Sequence, residues 1–359
     1  MRLTELRVHN LRNIEDLQLS LAPGLNLFTG PNGAGKTSIL EAAHLLSHGS
    51  SFRTHRLEHL VRRQTTPLSI FGQIETQTGG RRLGLMRREG RWTAKIDGQS
   101  PSSLTALFST CAVVCFEPGS HALISGPAEL RRSFLDWGVF HVEPDFADRM
   151  QRYRRALRQR NALLKQGTEE NDLSAWENEL ARMAEPLTIG REDYVKRFSE
   201  ELMPLLEIYL PELGSASLRF RPGWDRSHSL LAALAEAHSR DRVLGHTSRG
   251  PHRADWNLCF AEAPAHEQLS RGQEKLCAIA CVLAQARLYK RTSGEWPIVA
   301  LDDFCSELDS MHQDAVMKTL AAGDAQILLT GTDIPTSLVR QFVSQHRFHV
   351  EQGRVQALL

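Results

Sequence analysis

The sequence predicts an α/β fold, a mixed and partly parallel sheet with helices, into which a mainly helical lobe is inserted. Short apolar stretches typical of strands alternate with helical patterns near both ends of the chain. Between these regions, residues 128–210 have a helical pattern and many charged residues. The predicted organisation is therefore 1–120 for the first half of the α/β lobe, 121–245 for the inserted helical lobe and 246–359 for the second half.

The first half of the α/β lobe is predicted from apolar runs separated by turn signals. Its predicted strands are two within 2–21, one at 25–30, several antiparallel strands within 68–100 and one at 111–116. The predicted helix at 36–48 has apolar residues at helical spacing. In the second half, we predict strands at 256–260, 297–304 and 325–333, and helices within 269–290 and at 310–322.

Composition limits the class of protein. Of the 359 residues, 41% are hydrophobic and 24% are charged, which is ordinary for a globular protein. The 43 basic and 42 acidic residues nearly cancel, so a nucleic-acid site would have to be a local patch. No apolar run approaches the roughly 18 residues of a membrane span, and the N-terminus lacks the apolar core of a secretory signal. We therefore expect a cytoplasmic protein that does not bind membranes.

The six cysteines do not indicate a metal site. None forms the C-x2-C pair that is usual for zinc. Buried free thiols are the favoured interpretation, and a metal site is the alternative.

A phosphate-binding motif lies between the strand at 25–30 and the helix at 36–48. Residues 30–37, GPNGAGKT, match G-x-x-x-x-G-K-[ST] at every fixed position. Glycines let successive N–H groups converge on phosphate oxygens, and the helix start adds partial positive charge. Lys36 would reach the β- and γ-phosphates of a nucleotide, and Thr37 would bind Mg²⁺. The predicted binding residues are Gly30, Pro31, Asn32, Gly33, Ala34, Gly35, Lys36, Thr37 and Ser38.

Two carboxylates after an apolar strand complete this site. Asp302 and Asp303 follow residues 298–301, IVAL. Adjacent side chains at a strand end point in different directions, so one can face a metal and the other the γ-phosphate. We assign Asp302 to Mg²⁺ and Asp303, as the catalytic residue, to the attacking water. Glu307 and Asp309 remain alternatives for the second role.

A second helix start is predicted at LSRGQ, residues 269–273. Ser270 and Gln273 have the spacing of a capping box, so this loop has a purely structural interpretation. Its free N–H groups, its serine hydroxyl and a glycine also make an anion site. We therefore predict a composite nucleotide site in a homodimer, in which one protomer supplies the phosphate loop and the other supplies this helix start. The predicted residues of the helix start are Ser270, Arg271, Gly272 and Gln273.

These motifs together resemble those of ABC/SMC-type ATPase heads, whose signature loop is usually LSGGQ. Four further stretches narrow the resemblance to the RecF family: SFRTHR, GPAELRRSFLDWGVFHVEP, TSRGPHRADW and LDDFCSELD. The resemblance implies an ABC-type P-loop ATPase head that binds ATP and Mg²⁺ and dimerises on ATP. It also implies binding to DNA at single-strand gaps or junctions, where the protein helps RecO and RecR to load RecA. Slow, DNA-stimulated ATP hydrolysis would act as a release switch.

Three positions depart from the general ABC pattern. Asp303 stands where ABC proteins have glutamate, and the shorter carboxylate suggests slow turnover. The stretch CFEPGS, residues 115–120, lacks the glutamine of the ABC glutamine loop, and Thr330 or Thr332 stands where a histidine is common. An ABC transporter ATPase subunit is the alternative function, which the missing glutamine argues against. A head with long coiled-coil arms is excluded because the insertion, 121–245, is short and lacks sustained heptads.

Three basic stretches are candidate DNA contacts: 53–63, 81–95 and 149–165. Each has the alternative interpretation of a solvated face. The predicted DNA-binding residues are Arg53, Arg56, Arg62, Arg63, Arg152, Arg154, Arg155 and Arg158. Arg131 and Arg132 could serve ATP, the dimer or the lobe fold. The acidic segment 166–215 either pairs internally with 149–165 or offers a surface to RecR.

Overall fold

The computed structural model of the chain describes residues 1–54, 56–62, 65–167, 170–262 and 269–358. The strands are β1 (Arg2–Leu11), β2 (Ile14–Ser20), β3 (Leu25–Thr29), β4 (Leu68–Thr76), β5 (Gly79–Arg88), β6 (Arg91–Ile96), β7 (Val113–Phe116), β8 (Ala216–Arg221), β9 (Asp255–Phe260), β10 (Ile298–Leu301), β11 (Ile327–Gly331), β12 (Gln345–Glu351) and β13 (Arg354–Leu358). The helices are α1 (Lys36–His48), α2 (Leu104–Thr110), α3 (Ala122–Ser125), α4 (Ala128–Val142), α5 (Phe146–Gln166), α6 (Glu170–Tyr209), α7 (Leu230–Leu244), α8 (Arg271–Ser293), α9 (Phe304–Glu307), α10 (Ser310–Ala322) and α11 (Thr336–Val339).

The chain forms two compact units. One comprises Met1–Ser120 with Lys275–Leu359, and the other is His121–Glu274. The chain therefore returns to the first unit at Lys275, whereas the predicted boundary lies at residue 246. The reason is that β9 pairs with β8, which keeps residues 255–260 in the inserted unit. Among the described residues, no helix has the length and apolarity needed to cross a bilayer.

The predicted α/β class with a mixed sheet is confirmed in the first unit. Its mixed sheet has the order β13-β12-β3-β11-β10-β7, in which β12 and β13 pair antiparallel and the other neighbours pair parallel. The strands of 2–20 and 68–96 form a separate antiparallel sheet in the order β2-β1-β4-β5-β6. Alternating burial along β1, β2 and β4 explains the separation, because one face of such a sheet faces solvent.

Helix α1 packs among the core residues of both sheets. Its apolar residues, from Ile39 to Leu46, are fully buried, and they belong to one cluster with Leu6 of β1 and Leu328 of β11. The strand order also positions the chemistry. Because β3, β11 and β10 are parallel neighbours, the residues that follow β3 and β10 emerge at one edge of the sheet, with the end of β11 between them.

The inserted unit combines helices α3 to α7 with the antiparallel pair of β8 and β9. Charged side chains within it are paired internally. Arg160 is fully buried and donates to Glu177, Asp241 and Thr247 at 2.8–3.0 Å. Through Arg160 and Glu177, the basic segment 149–165 pairs with the acidic segment 166–215, which is one of the two predicted alternatives.

Candidate phosphate-binding site

The predicted phosphate loop forms a tight turn between β3 and α1. Gly35 caps α1 with a left-handed φ of 113°, a conformation that side chains rarely adopt. Gly30 approaches β12 so closely that a Cβ there would lie 2.1 Å from the Val350 carbonyl oxygen. Ala34 is buried, and its carbonyl accepts a hydrogen bond from the Gly353 N–H at 2.7 Å. The loop is therefore fixed to the C-terminal strands before any ligand arrives.

Lys36 lies over this loop. Its Nζ donates to the carbonyls of Gly30 and Pro31 at 2.6 and 3.0 Å. Burial lowers the pKa of Lys36, while the negative charges of Asp303 and Asp302 raise it. The ammonium group is thus held by neutral carbonyls in a partly desolvated position, where phosphate oxygens are stronger partners.

Asp302 is buried at the carboxyl end of β10. Its Oδ1 accepts hydrogen bonds from the hydroxyls of Thr330, at 2.7 Å, and Thr37, at 2.9 Å. Burial raises the pKa of Asp302, and the two hydroxyls and the charge of Arg53 oppose this shift. The hydroxyl–carboxylate pair of Thr37 and Asp302 fits Mg²⁺, which accepts few protein oxygens and completes its shell with phosphate and water.

Other parts of the described chain do not offer a metal site. Over these residues, no group of three or more His, Cys, Asp or Glu side chains could hold an ion. The six cysteines are free thiols, and burial raises the pKa of Cys111 to about 12.

Asp303 leaves the strand in a different direction from Asp302. The strand ends at Leu301, and Asp303 has a left-handed backbone, with φ 49° and ψ 32°. Its N–H donates to Thr330 Oγ1 at 2.9 Å, and its Oδ1 accepts from Ser306. The two neighbouring carboxylates therefore differ in direction because of this turn, and not because of the strand alternation that was predicted.

The alternatives for the second carboxylate have other partners. Glu307 forms an ion pair with Lys275 at 2.8 Å. Asp309 caps α10 by accepting from the His312 N–H, and it also contacts the His312 ring. Neither acid lines the cavity beside the phosphate loop, whereas Asp303 does.

This cavity has a volume of about 540 Å³. Its lining includes predicted residues of the loop and of the Asp302–Asp303 pair. The lining residues are Arg12, Asn13, Asn32, Gly33, Gly35, Lys36, Thr37, Ser38, Arg53, Glu117, Pro118, Asp302, Asp303 and Thr330. Pro31 and Ala34 do not line the cavity and instead brace the loop through their carbonyls.

Arg53 was predicted to bind DNA, but the structure places it in this cavity. A buried carboxylate accounts for the position: Glu41 on α1 accepts two hydrogen bonds from Arg12, at 2.7 and 2.9 Å, and one from the Ser51 hydroxyl. Ser51 Oγ in turn accepts from the Arg53 N–H at 2.9 Å. Arg12 and Asn13 also line the cavity but belong to no motif, so they were not predicted.

The LSRGQ segment begins α8 in the inserted unit. The Ser270 N–H donates to Gln273 Oε1 at 3.0 Å and the Gln273 N–H donates to Ser270 Oγ at 3.2 Å, so the capping box forms. Ser270, Arg271 and Gly272 are exposed. A Cβ on Gly272 would meet nothing closer than Ser270 Oγ at 3.9 Å, so the protomer itself does not require glycine here.

The other predicted DNA-binding arginines differ in their surroundings. Arg56 is exposed, Arg62 forms an ion pair with Glu15 at 3.2 Å, and Arg63 lies outside the described residues. The predicted arginines of α5 are all exposed, namely Arg152, Arg154, Arg155 and Arg158. The structure assigns Arg131 to the lobe fold, because it is buried in a two-bond contact with Asp255.

Comparison with known proteins agrees with these motifs. The RecF/RecN/SMC N terminal domain family matches residues 2–348. The DNA replication and repair protein RecF of Xanthomonas oryzae pv. oryzae is 48% identical over 99% of this chain and 100% of its own length. That of Stenotrophomonas maltophilia is also 48% identical, over 100% of both chains.

Two solved structures have the same fold. The recombination mediator protein RecF-ATP in the RecFOR pathway superposes with a TM-score of 0.90 at 23% identity, over 99% of this chain and 97% of that one. An SMC head bound to the C-winged helix domain of ScpA gives 0.60 at 12% identity, over 100% and 98%. With its motifs, its full-length relatives and this fold, the chain belongs to the RecF family of ATPase heads.

Proposed function

We propose that the protein is a DNA replication and repair ATPase that acts as a recombination mediator. It binds MgATP, dimerises on it, and holds DNA at single-strand gaps or junctions in the cytoplasm, where it helps RecO and RecR to load RecA. The RecF relatives, similar over their whole length, support this assignment over a transporter ATPase subunit. The observation that carries the nucleotide part is the cavity that joins Lys36, Thr37 and Asp302.

In this proposal several residues of the cavity have separate tasks. Lys36 and the loop N–H groups bind the β- and γ-phosphates, and Thr37 and Asp302 hold Mg²⁺. The metal neutralises phosphate charge when it is bound. Asp303 orients the attacking water, and Thr330 keeps the Asp302 carboxylate and the Asp303 backbone in place. Arg53, fixed by Ser51, adds positive charge beside Asp302.

In this proposal, dimerisation brings a second anion-binding element, from the partner subunit, to the phosphate cavity. The loop Ser270–Gln273 is a helix start with exposed backbone N–H groups, which favours an anion. Its glycine is not sterically required within the protomer, since a Cβ at Gly272 would meet only Ser270 Oγ, at 3.9 Å, among the described residues. A close approach from outside explains both features. The composite site therefore pairs Lys36 of one protomer with Ser270 of the partner subunit.

Hydrolysis then acts as a switch. Because the γ-phosphate is the group shared between protomers, its loss would release the dimer and the DNA. We expect a weak ATPase that DNA stimulates, as the shorter Asp303 carboxylate suggests. A transporter subunit would show no stimulation by DNA, so steady-state ATPase assays with and without gapped duplex separate the two functions.

Replacing Gly272 by glutamine tests the composite site. The side chain fits the protomer, so we expect the free energy of unfolding to change by no more than about 0.5 kcal/mol and ATP binding to be retained. Self-association with ATP and Mg²⁺ should be lost in sedimentation velocity. The matched control, Arg240→Gln, changes an exposed residue of α7 and should dimerise normally. A Gly272→Gln protein that still dimerises on ATP would remove this loop from the mechanism.

A further inference from the structure

Two of the motifs that carry the family resemblance have no task in nucleotide binding. They are residues 126–144 and 247–256, and both lie in the inserted unit. Most of their charged groups are satisfied internally: Arg131 pairs with Asp255, and Asp136 pairs with Arg191 at 2.9 and 3.0 Å. These buried pairs fix how α4, α6 and the 251–254 segment pack.

Three arginines of this region form no ion pair with any residue that the structure describes. Burial raises the pKa of the Asp136 carboxyl, whereas Arg132 and Arg154 both lower it, which places these two arginines near the same group. Arg132 donates through Nη1 to the Ala254 carbonyl at 2.8 Å, and Arg253 donates through Nη2 to the Thr247 carbonyl at 3.3 Å. Arg154 is exposed on α5, and the preceding residue, Tyr153, contacts His252 at 2.6 Å. Within the described part of the chain, no carboxylate lies within ion-pair distance of Arg132, Arg154 or Arg253. We call these three residues the arginine cluster.

The surroundings leave this cluster positively charged. Burial and repulsion from Arg191 lower the pKa of Arg132, against a smaller opposing effect from nearby acids. Of these acids, Asp255 and Asp136 are already paired with other arginines, and Glu129 forms no ion pair with Arg132. His252 stays neutral at pH 7, because burial lowers its pKa to about 4.

We propose that the arginine cluster is a binding site for a backbone phosphate of DNA. Arginine presents a planar fork of donors that matches phosphate oxygens, and Arg132 is pre-positioned by its bond to Ala254. Arg158 lies one helical turn beyond Arg154 on the exposed side of α5, so the positive charge continues along a line. A line of arginines suits a phosphate backbone better than it suits an isolated anion. This inference rests on the proposed binding of DNA.

Two single variants test the site, Arg253→Gln and Arg132→Gln, with Arg240→Gln as the control for loss of one charge in the same unit. The probe is a fluorescent duplex with a single-strand gap, and its affinity is measured by anisotropy with ATP and Mg²⁺ from 50 to 200 mM salt. Each lost phosphate contact lowers the slope of log affinity against log salt by about 0.9. The wild-type affinity should therefore fall about 3.5-fold more than that of each variant over this range.

Arg132→Lys separates charge from geometry. It should keep the wild-type salt slope but bind DNA more weakly, because lysine lacks the fork. Urea unfolding checks that each variant folds. If the wild type binds DNA and both glutamine variants behave like Arg240→Gln, the site is refuted while the proposed function stands. If the wild type binds no DNA at any salt concentration, the proposed function fails and the site fails with it. If the glutamine variants bind DNA as the wild type does but no longer bind RecR, the cluster contacts a protein carboxylate instead, and the proposal is overturned.

Discussion

Replacing Thr330 by valine tests whether one hydroxyl organises both carboxylates of the phosphate site. Oγ1 of Thr330 donates to Asp302 at 2.7 Å and accepts from the Asp303 N–H at 2.9 Å. Valine has nearly the same shape but makes neither bond. Asp302 then retains the Thr37 hydroxyl, and the Asp303 N–H loses its acceptor in a partly buried position.

The size of the effect follows from these contacts. A hydrogen bond to a charged group contributes about 1.5–3 kcal/mol, and about 1.4 kcal/mol corresponds to a tenfold change in affinity. We therefore expect Thr330→Val to bind MgATP about 10- to 100-fold more weakly in isothermal titration calorimetry. Thr330→Ser keeps the hydroxyl and is the matched control, with an affinity within about threefold of wild type.

The pH dependence has a definite sign. Burial raises the pKa of Asp302, and the Thr330 hydroxyl opposes that shift. Binding of Mg²⁺ requires the ionised carboxylate, so affinity for MgATP falls as the pH drops through this raised pKa. Without the hydroxyl the pKa of Asp302 rises further, and the loss of affinity begins at a higher pH. In the absence of ligand, the folded protein favours protonated Asp302. The contribution of Asp302 to the free energy of unfolding therefore increases as the pH falls. A valine variant with wild-type affinity and an unchanged pH profile would refute this role for Thr330.

Three further variants address other parts of the molecule. Lys36→Ala should abolish ATP binding in calorimetry and, with it, ATP-dependent dimerisation in sedimentation; retained dimerisation would exclude the phosphate loop from the switch. Asp303→Asn should bind ATP but hydrolyse it slowly, so the dimer stays on DNA longer in dissociation assays, and a loss of ATP binding would reverse the assignment of the two aspartates. Arg160→Met should lower the free energy of unfolding in urea by about 3–5 kcal/mol, because Glu177 and Asp241 lose their buried counter-charge; an unchanged midpoint would contradict that packing role.

Local sequence patterns predicted the parts of the site that are contiguous in the chain. The phosphate loop and the Asp302–Asp303 pair each combine a fixed spacing with an apolar strand, and both are short-range signals. Strands β12 and β13 were missed, because most of their residues are polar and most are exposed, and only Phe348 and Val350 in them are buried. The arginines of α5 were assigned only in part: Arg160 falls on the apolar face with Tyr153 and Ala156, which helical periodicity alone could have indicated.

Long-range pairing decided what the sequence patterns could not show. Thr330 links the Asp302 carboxylate to the Asp303 backbone only because β11 lies between β3 and β10, and no local motif encodes that strand order. Arg53 belongs to a basic run, yet Ser51 and Glu41 direct it to the phosphate cavity. A charge run therefore has no single function, and its members are assigned by the residues that pack around each of them.

A structure of the protein with MgATP tests the shared site most directly. Ser270 of the partner subunit is expected within hydrogen-bond distance of the terminal phosphate that Lys36 binds. A dimer in which the partner's Ser270 lies far from that phosphate, or an ATP-bound protein that remains monomeric, would contradict the composite site.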